Sequence, residues 1–105
     1  DGLTLDADGC VWVALWGGGC VRRYTPDGRL DRVVELPVSQ VASCAFGGRD
    51  RRTLFVTTAR HGLGERRLAA EPLAGGLFAV PDLAQGRPAH RFGLARLDGS
   101  PACTG

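Results

Sequence analysis

The 105-residue sequence contains no lysine, no methionine and no asparagine. Arg therefore supplies all 13 of the Lys/Arg charges, against 11 Asp and Glu, for a formal net charge of +2. So small a balance argues against nucleic-acid binding unless the arginines converge on one face. No apolar run approaches the roughly 18–20 residues of a membrane-spanning helix, which excludes an integral membrane protein of that kind. There is no C-x-x-C pair, no His spaced as a zinc partner, no G-x-S-x-G, no phosphate-binding loop and no Ser-His-Asp pattern. With no Met at its start, and Asp1 opening directly into a strand-like run, the sequence reads as an internal or C-terminal fragment. A fragment of that kind would show no targeting signal.

Glycine is what the sequence has in excess. Its 16 residues are about twice the usual share of roughly 7%. Without a G-x-y period, that excess points to many tight turns and therefore to short strands.

The turns divide the chain cleanly. Val11 to Leu15 (VWVAL) is continuously apolar, of strand length, and expected to be buried on both faces. Trp16-Gly17-Gly18-Gly19 follows, and a hairpin centred on Gly17-Gly18 sets Cys20 opposite Leu15. Cys20 to Tyr24 is the partner strand. Pro26-Asp27-Gly28 is a turn, because Pro presets φ and Gly admits positive φ. Leu30 to Leu36 makes a further strand, closed by Pro37, and Leu3 to Leu5 supplies a short first one. In this register Cys10 lies about 15 Å along the hairpin from Cys20. A disulfide needs Cα atoms about 5.5 Å apart, so the cysteines are expected to be reduced thiols, as in a cytoplasmic protein.

The pattern recurs. Val41 to Phe46 and Leu54 to Thr58 are strands around a turn at Gly47 to Arg52, and Phe55 falls 43 residues after Trp12. Gly76 to Val80 is a third strand and His90 to Gly93 a weak fourth. Glu65 to Glu71 has helical composition and ends at Pro72. Four strands per 40–45 residues is the repeat of a β-propeller blade, a twisted sheet that must lie between two neighbours. The expected fold is all-β, with residues 1–93 forming about two blades and residues 94–105 a frayed tail. The competing architecture is a small antiparallel sandwich of the same strands.

Few residues offer chemistry. Asp6, Asp8, Asp27, Asp31, Asp50 and Asp98 lie in or beside turn signals, where capping of the turn accounts for nearly all of them. Glu65 and Glu71 fit a solvated helix face. Asp1 stands just ahead of the first strand of a blade, where innermost strands line a propeller's channel. There a carboxylate can ligate a divalent cation or act as a base; a solvated Asp is the plainer alternative. Ser43 is similarly placed on the second blade, with a hydroxyl satisfied by backbone as its plainer reading. Arg60 and His61 follow the strand that ends at Thr58 and could meet an anionic or sugar ligand. Trp12 and Phe55 are expected in the core between blades, and Trp16 at the rim.

Asp1 to Leu30 (DGLTLDADGCVWVALWGGGCVRRYTPDGRL), Ser43 to Arg60 (SCAFGGRDRRTLFVTTAR) and Pro72 to Val80 (PLAGGLFAV) together resemble the SMP-30/gluconolactonase/LRE family, in order and at matching separations. The resemblance covers about residues 1 to 93. It implies a six-bladed propeller, of which this chain is the C-terminal portion, and metal-dependent hydrolysis of a sugar lactone. The family's divalent ion (Ca, Zn, Mn or Mg) is held by an early Glu, a mid-chain Asn and the Asp of a P-D-G motif. Asp1, followed by Gly2, matches that Asp, which the family picture also makes the general base; the Glu and Asn have no counterpart here. The resemblance therefore implies one metal ligand of three, and no activity for this segment without its upstream blades. The alternative is a non-catalytic propeller that binds calcium or a protein partner, since fold does not fix function.

Overall fold

The computed structural model describes residues 1–88 and residue 93. Among them no helix is long and apolar enough to cross a membrane. The first sheet holds β1 (Leu3–Leu5), β2 (Val11–Leu15), β3 (Cys20–Tyr24) and β4 (Leu30–Glu35), antiparallel and in chain order. Chain order follows from tight turns, which leave a strand no partner but its neighbour. Gly17 takes φ +81°, a left-handed backbone that costs a side-chain-bearing residue energy, and the loop returns Cys20 opposite Leu15 as the glycine run predicts. Cys10, Cys20 and Cys44 are buried, unpaired thiols.

The second sheet holds β5 (Val41–Gly47), β6 (Thr53–Thr58) and β7 (Leu77–Val80), again antiparallel in chain order. Between β6 and β7 the chain makes an excursion containing α1 (Glu65–Ala70), which stops before Pro72. The expected strand at His90 to Gly93 and the expected tail from Leu94 fall outside the described residues, Gly93 excepted.

The two sheets meet face to face along their innermost strands. Gly2 N donates to Ala42 O at 2.7 Å, joining the start of β1 to β5. Trp12, Ala14 and Val21 of the first sheet pack against Cys44, Leu54 and Val56 of the second, and the Phe46 ring stands edge-on to Trp12 at 5.7 Å. Trp12, Val21, Val41, Leu54 and Val56 are wholly buried, each contributing about 1.5–3 kcal/mol by leaving water. From that seam the sheets diverge: β4 is largely exposed, with Leu30 and Val33 among its open side chains. A closed sandwich would cover β4. A pair of blades fanning from adjacent inner strands does not.

Two expectations about burial need correcting. The VWVAL strand is buried on one face only: Trp12 and Ala14 are covered, while Val11, Val13 and Leu15 are half-exposed. Phe55, at the repeat position of Trp12, is half-buried rather than in the core. Both follow from stacking in register. Opposed residues share a face, so Phe55 lies with Ala45 and Ala79 on the side of the second sheet turned from the first. Val11 and Val13 lie with Leu5 and Leu3 on the equally unpartnered side of the first sheet.

Candidate functional site

The antiparallel register gathers the candidate residues at one end of the two sheets. Leu3 opposes Val13, Leu15 opposes Cys20, Val41 opposes Thr58 and Thr57 opposes Leu77. Asp1, the Trp16–Gly19 loop, the connection from Leu36 to Gln40, Ser43, and the excursion after Thr58 therefore emerge together. A bridge between Trp16 and Gln40 ties the first sheet to the second there. Trp16 is 46% exposed, as expected of a rim aromatic.

Asp1 is held by its backbone. Its N donates to Ala14 O at 2.6 Å, and Ala14 N donates to Gly2 O at 2.8 Å, extending the β1–β2 ladder. The carboxylate is exposed and makes no hydrogen bond or ion pair with the described residues. Its hard oxygens suit a hard divalent cation. Among the described residues, however, no three His, Cys, Asp or Glu side chains assemble as a metal-holding group. A cation held by Asp1 and two more such side chains would need at least one of them from beyond these residues.

Ser43 is half-buried and packs directly against Gly2, so the structure brings it beside Asp1's neighbour. Arg60 and His61 are exposed and sit on a corner whose backbone is fixed from below. Gln40, only 9% exposed, uses its whole amide on His61: Oε1 accepts from His61 N at 2.8 Å and Nε2 donates to His61 O at 2.7 Å. Ala59 N donates to Gln40 O. The Arg60 stem crosses Gly75, where a Cβ would meet its Cδ at 3.3 Å. Glu71 is not on a solvated face. Its Oε1 accepts from Ser39 N at 2.6 Å and Ser39 Oγ at 2.9 Å, and its Oε2 from Arg67 Nε at 2.7 Å. The Arg67 hydrogen bond, aided by Ser39, holds the Glu71 carboxyl below its ordinary value.

The sequence reading missed Gln40, because its partner lies 21 residues away and no local pattern announces such a bracket. It read only half of Asp6. The turn-capping role is real: Asp6 Oδ1 accepts from Asp8 N at 2.9 Å and Cys10 N at 3.0 Å. But Asp6 is wholly buried, and Oδ2 accepts from Trp12 Nε1 and Arg23 Nε, both at 2.9 Å. Arg23 also pairs with Asp31 at 2.7 Å and Asp8 at 3.3 Å, and covers the Trp12 ring at 5.7 Å. Burial works to raise the Asp6 pKa, but the hydrogen bonds from Trp12, Arg23 and Cys10, with the Arg23 charge, bring it below the ordinary value. This cluster lies at the opposite sheet end from Asp1. It is structural: it joins three strands of the first sheet, and Arg87 Nε caps Asp6 O at 2.9 Å.

A family model described as an SMP-30/Gluconolactonase/LRE-like region matches residues 1–60. The chain is 43% identical over 84 residues to regucalcin from Bos taurus, covering 79% of this chain and 28% of that protein. It is 42% identical over 81 residues to YvrE from Bacillus subtilis (strain 168), named as a candidate sugar lactone lactonase, covering 76% and 28%. Among solved structures it resembles a calcium-binding protein, regucalcin, from Agrobacterium tumefaciens, with TM-score 0.81 and 38% identity over 88% of this chain and 32% of that one. A luciferin-regenerating enzyme matches with TM-score 0.72 and 31% identity, covering 83% and 29%. The chain thus spans somewhat under a third of the length of these relatives. The chain belongs to the SMP-30/gluconolactonase/LRE family, and its two sheets fit a fragment of that family's β-propeller fold.

Proposed function

We propose that residues 1–93 are the C-terminal two blades of a metal-dependent sugar-lactone hydrolase, inactive without the remaining blades of the same chain. The observation that carries this reading is Asp1: an exposed carboxylate without a partner among the described residues, on a backbone pinned between β2 and β5, in a chain 42% identical to a protein named as a candidate sugar lactone lactonase. Asp1 is the family-matched metal ligand and the candidate general base. A bound divalent cation (Ca, Zn, Mn or Mg) would polarise the lactone carbonyl and stabilise the oxyanion. The reaction adds water across the ring ester, breaking the acyl C–O bond and releasing an open-chain hydroxy acid. In this reading Asp1 would turn its oxygens toward the propeller's channel and would accept the water's proton. A cation beside it lowers its basicity, so its role as a ligand has the stronger support. Ser43 and the Arg60–His61 corner would line the approach to the site. The three unpaired thiols fit a reducing cytoplasm.

The test is hydrolysis of aldonolactones by the full-length protein, with and without chelator, against Asp1→Asn. The expected result is chelator-sensitive turnover, with kcat/KM lowered about 100-fold or more in the variant. Retained activity would remove Asp1 from the mechanism. The second reading, a calcium-binding propeller without catalysis, is favoured by the description of the Agrobacterium relative as a calcium-binding protein. Cation binding with no turnover on any aldonolactone would select it.

A further inference from the structure

The excursion between β6 and β7 carries more positive than negative charge at its free surface, and the reason is local. Of its two carboxylates, Glu71 is consumed by Arg67 and Ser39, leaving Glu65 alone against Arg60, Arg66 and His61. No carboxylate among the described residues pairs with Arg60 or Arg66.

The corner that presents Arg60 and His61 is built. The buried Gln40 amide fixes the His61 backbone through both of its hydrogen bonds. Thr58 Oγ1 donates to Gly76 O at 2.6 Å, closing the mouth of the excursion. Gly75 takes φ +87° and leaves the space that the Arg60 stem occupies. An L side chain at residue 75 would be strained by that backbone and would crowd the arginine. The Arg60 stem and the neighbouring His61 backbone are thus ordered, while the exposed guanidinium has no carboxylate partner among the described residues. A guanidinium so based can offer its donor fork to a carboxylate. The corner lies at the sheet end that also bears Asp1.

We propose that the Arg60–His61 corner selects lactones that carry a second, anionic group, a ring carboxylate, over neutral lactones of the same ring. This rests on the lactone-site reading of Asp1 and deepens it by naming the substrate class. The ring's ester carbonyl faces the Asp1 end while Arg60 takes the distal carboxylate, with His61 beside it. Attraction between exposed charges is screened by salt, so the selectivity falls as ionic strength rises.

The experiment separates binding from turnover. The full-length, metal-loaded protein is titrated calorimetrically with two lactam analogues of a sugar lactone, one neutral and one bearing a ring carboxylate; neither hydrolyses as the ester does. The carboxylated analogue is expected to bind about 10-fold tighter or more. Arg60→Gln should collapse that ratio toward one by weakening the carboxylated analogue more than the neutral one, and Arg60→Lys should restore part of it. A ratio near one in the unaltered protein, or a ratio unchanged by Arg60→Gln, overturns the proposal whether or not any lactone is opened. An intact, Arg60-dependent ratio in a protein that hydrolyses neither parent lactone supports the anion subsite and overturns only the hydrolase reading.

Discussion

A Cβ placed on Gly2 would lie 2.9 Å from Ser43 Cα and closer still to the Ser43 side chain. The innermost strands of the two sheets thus touch backbone to backbone beside Asp1, and only glycine fits. Gly2→Ala is expected to force β1 from β5, straining the Gly2 N to Ala42 O bond, at about 1–3 kcal/mol. Denaturant unfolding of the full-length protein measures this. Ser43→Gly in the same chain should recover part of the loss, because it removes the nearest atoms but not the Cα. Additive losses in the double variant would show that the two residues do not press on each other.

Asp6 should dominate the stability of the first sheet. Asp6→Asn removes the charge opposite Arg23 and disturbs the acceptor of the Trp12 indole, and breaking a buried pair from one side costs about 3–5 kcal/mol. The pH dependence has a definite sign. Asp6 gives up its proton more readily folded than unfolded, its pKa lying below the ordinary 3.8. Its contribution is therefore complete above that value and is lost as pH falls through the lower, folded one. The unaltered protein should lose stability more steeply than Asp6→Asn on acidification below about pH 4. Parallel curves would mean that Asp6 titrates alike in both states.

The strands were legible because their punctuation is local. The three glycines after Trp16, the Pro26-Asp27-Gly28 turn and the Pro72 stop each act within a few residues, and the elements end where they dictate. The helical excursion was legible for the same reason. What composition could not disclose depends on distant partners. VWVAL reads as doubly buried, yet its outer face is half-exposed, because burial of that face depends on a second packed layer that a run of apolar residues cannot itself supply. Asp6 announces a turn through one oxygen, while the other reaches Arg23 across 17 residues. Gln40 and Ser39 look like ordinary linker residues until Glu71 and His61 arrive against them. Asp1, Ser43, Arg60 and His61 were identified singly, and only the strand register shows that they share one sheet end.

Glu71 should hold the excursion to the rest of the fold. The six-residue α1 has no side-chain cap at its N-terminus, and a helix so short is marginal by itself. Glu71→Ala removes the tie from Arg67 to Ser39. Hydrogen exchange of the full-length protein should then show faster exchange at Ser39 and across α1, with β5 and β6 unchanged. Acid should imitate the variant. The Glu71 carboxyl titrates below its ordinary 4.5, so the tie is complete above that value and is lost as pH falls through the lower, folded one. Unaltered protection of α1 in Glu71→Ala would assign its order to the contacts of Leu63 and Ala74 with the core instead.

The two open sheet faces make opposite predictions for the 105-residue chain and for a longer protein that contains it. Leu3 is 61% exposed beside Val13 on one face, and Leu77 is 68% exposed near Phe55 on the other. In the isolated chain, paired apolar faces favour self-association, so Leu77→Glu should reduce concentration-dependent sedimentation. In the full-length propeller the next blade covers that face, and the same glutamate would be buried without a partner. There it should cost at least the about 1.5–3 kcal/mol lost with a buried Leu, measured by denaturant unfolding. A full-length protein indifferent to Leu77→Glu would show that no blade packs on this face, and the ring would not close against β6 and β7.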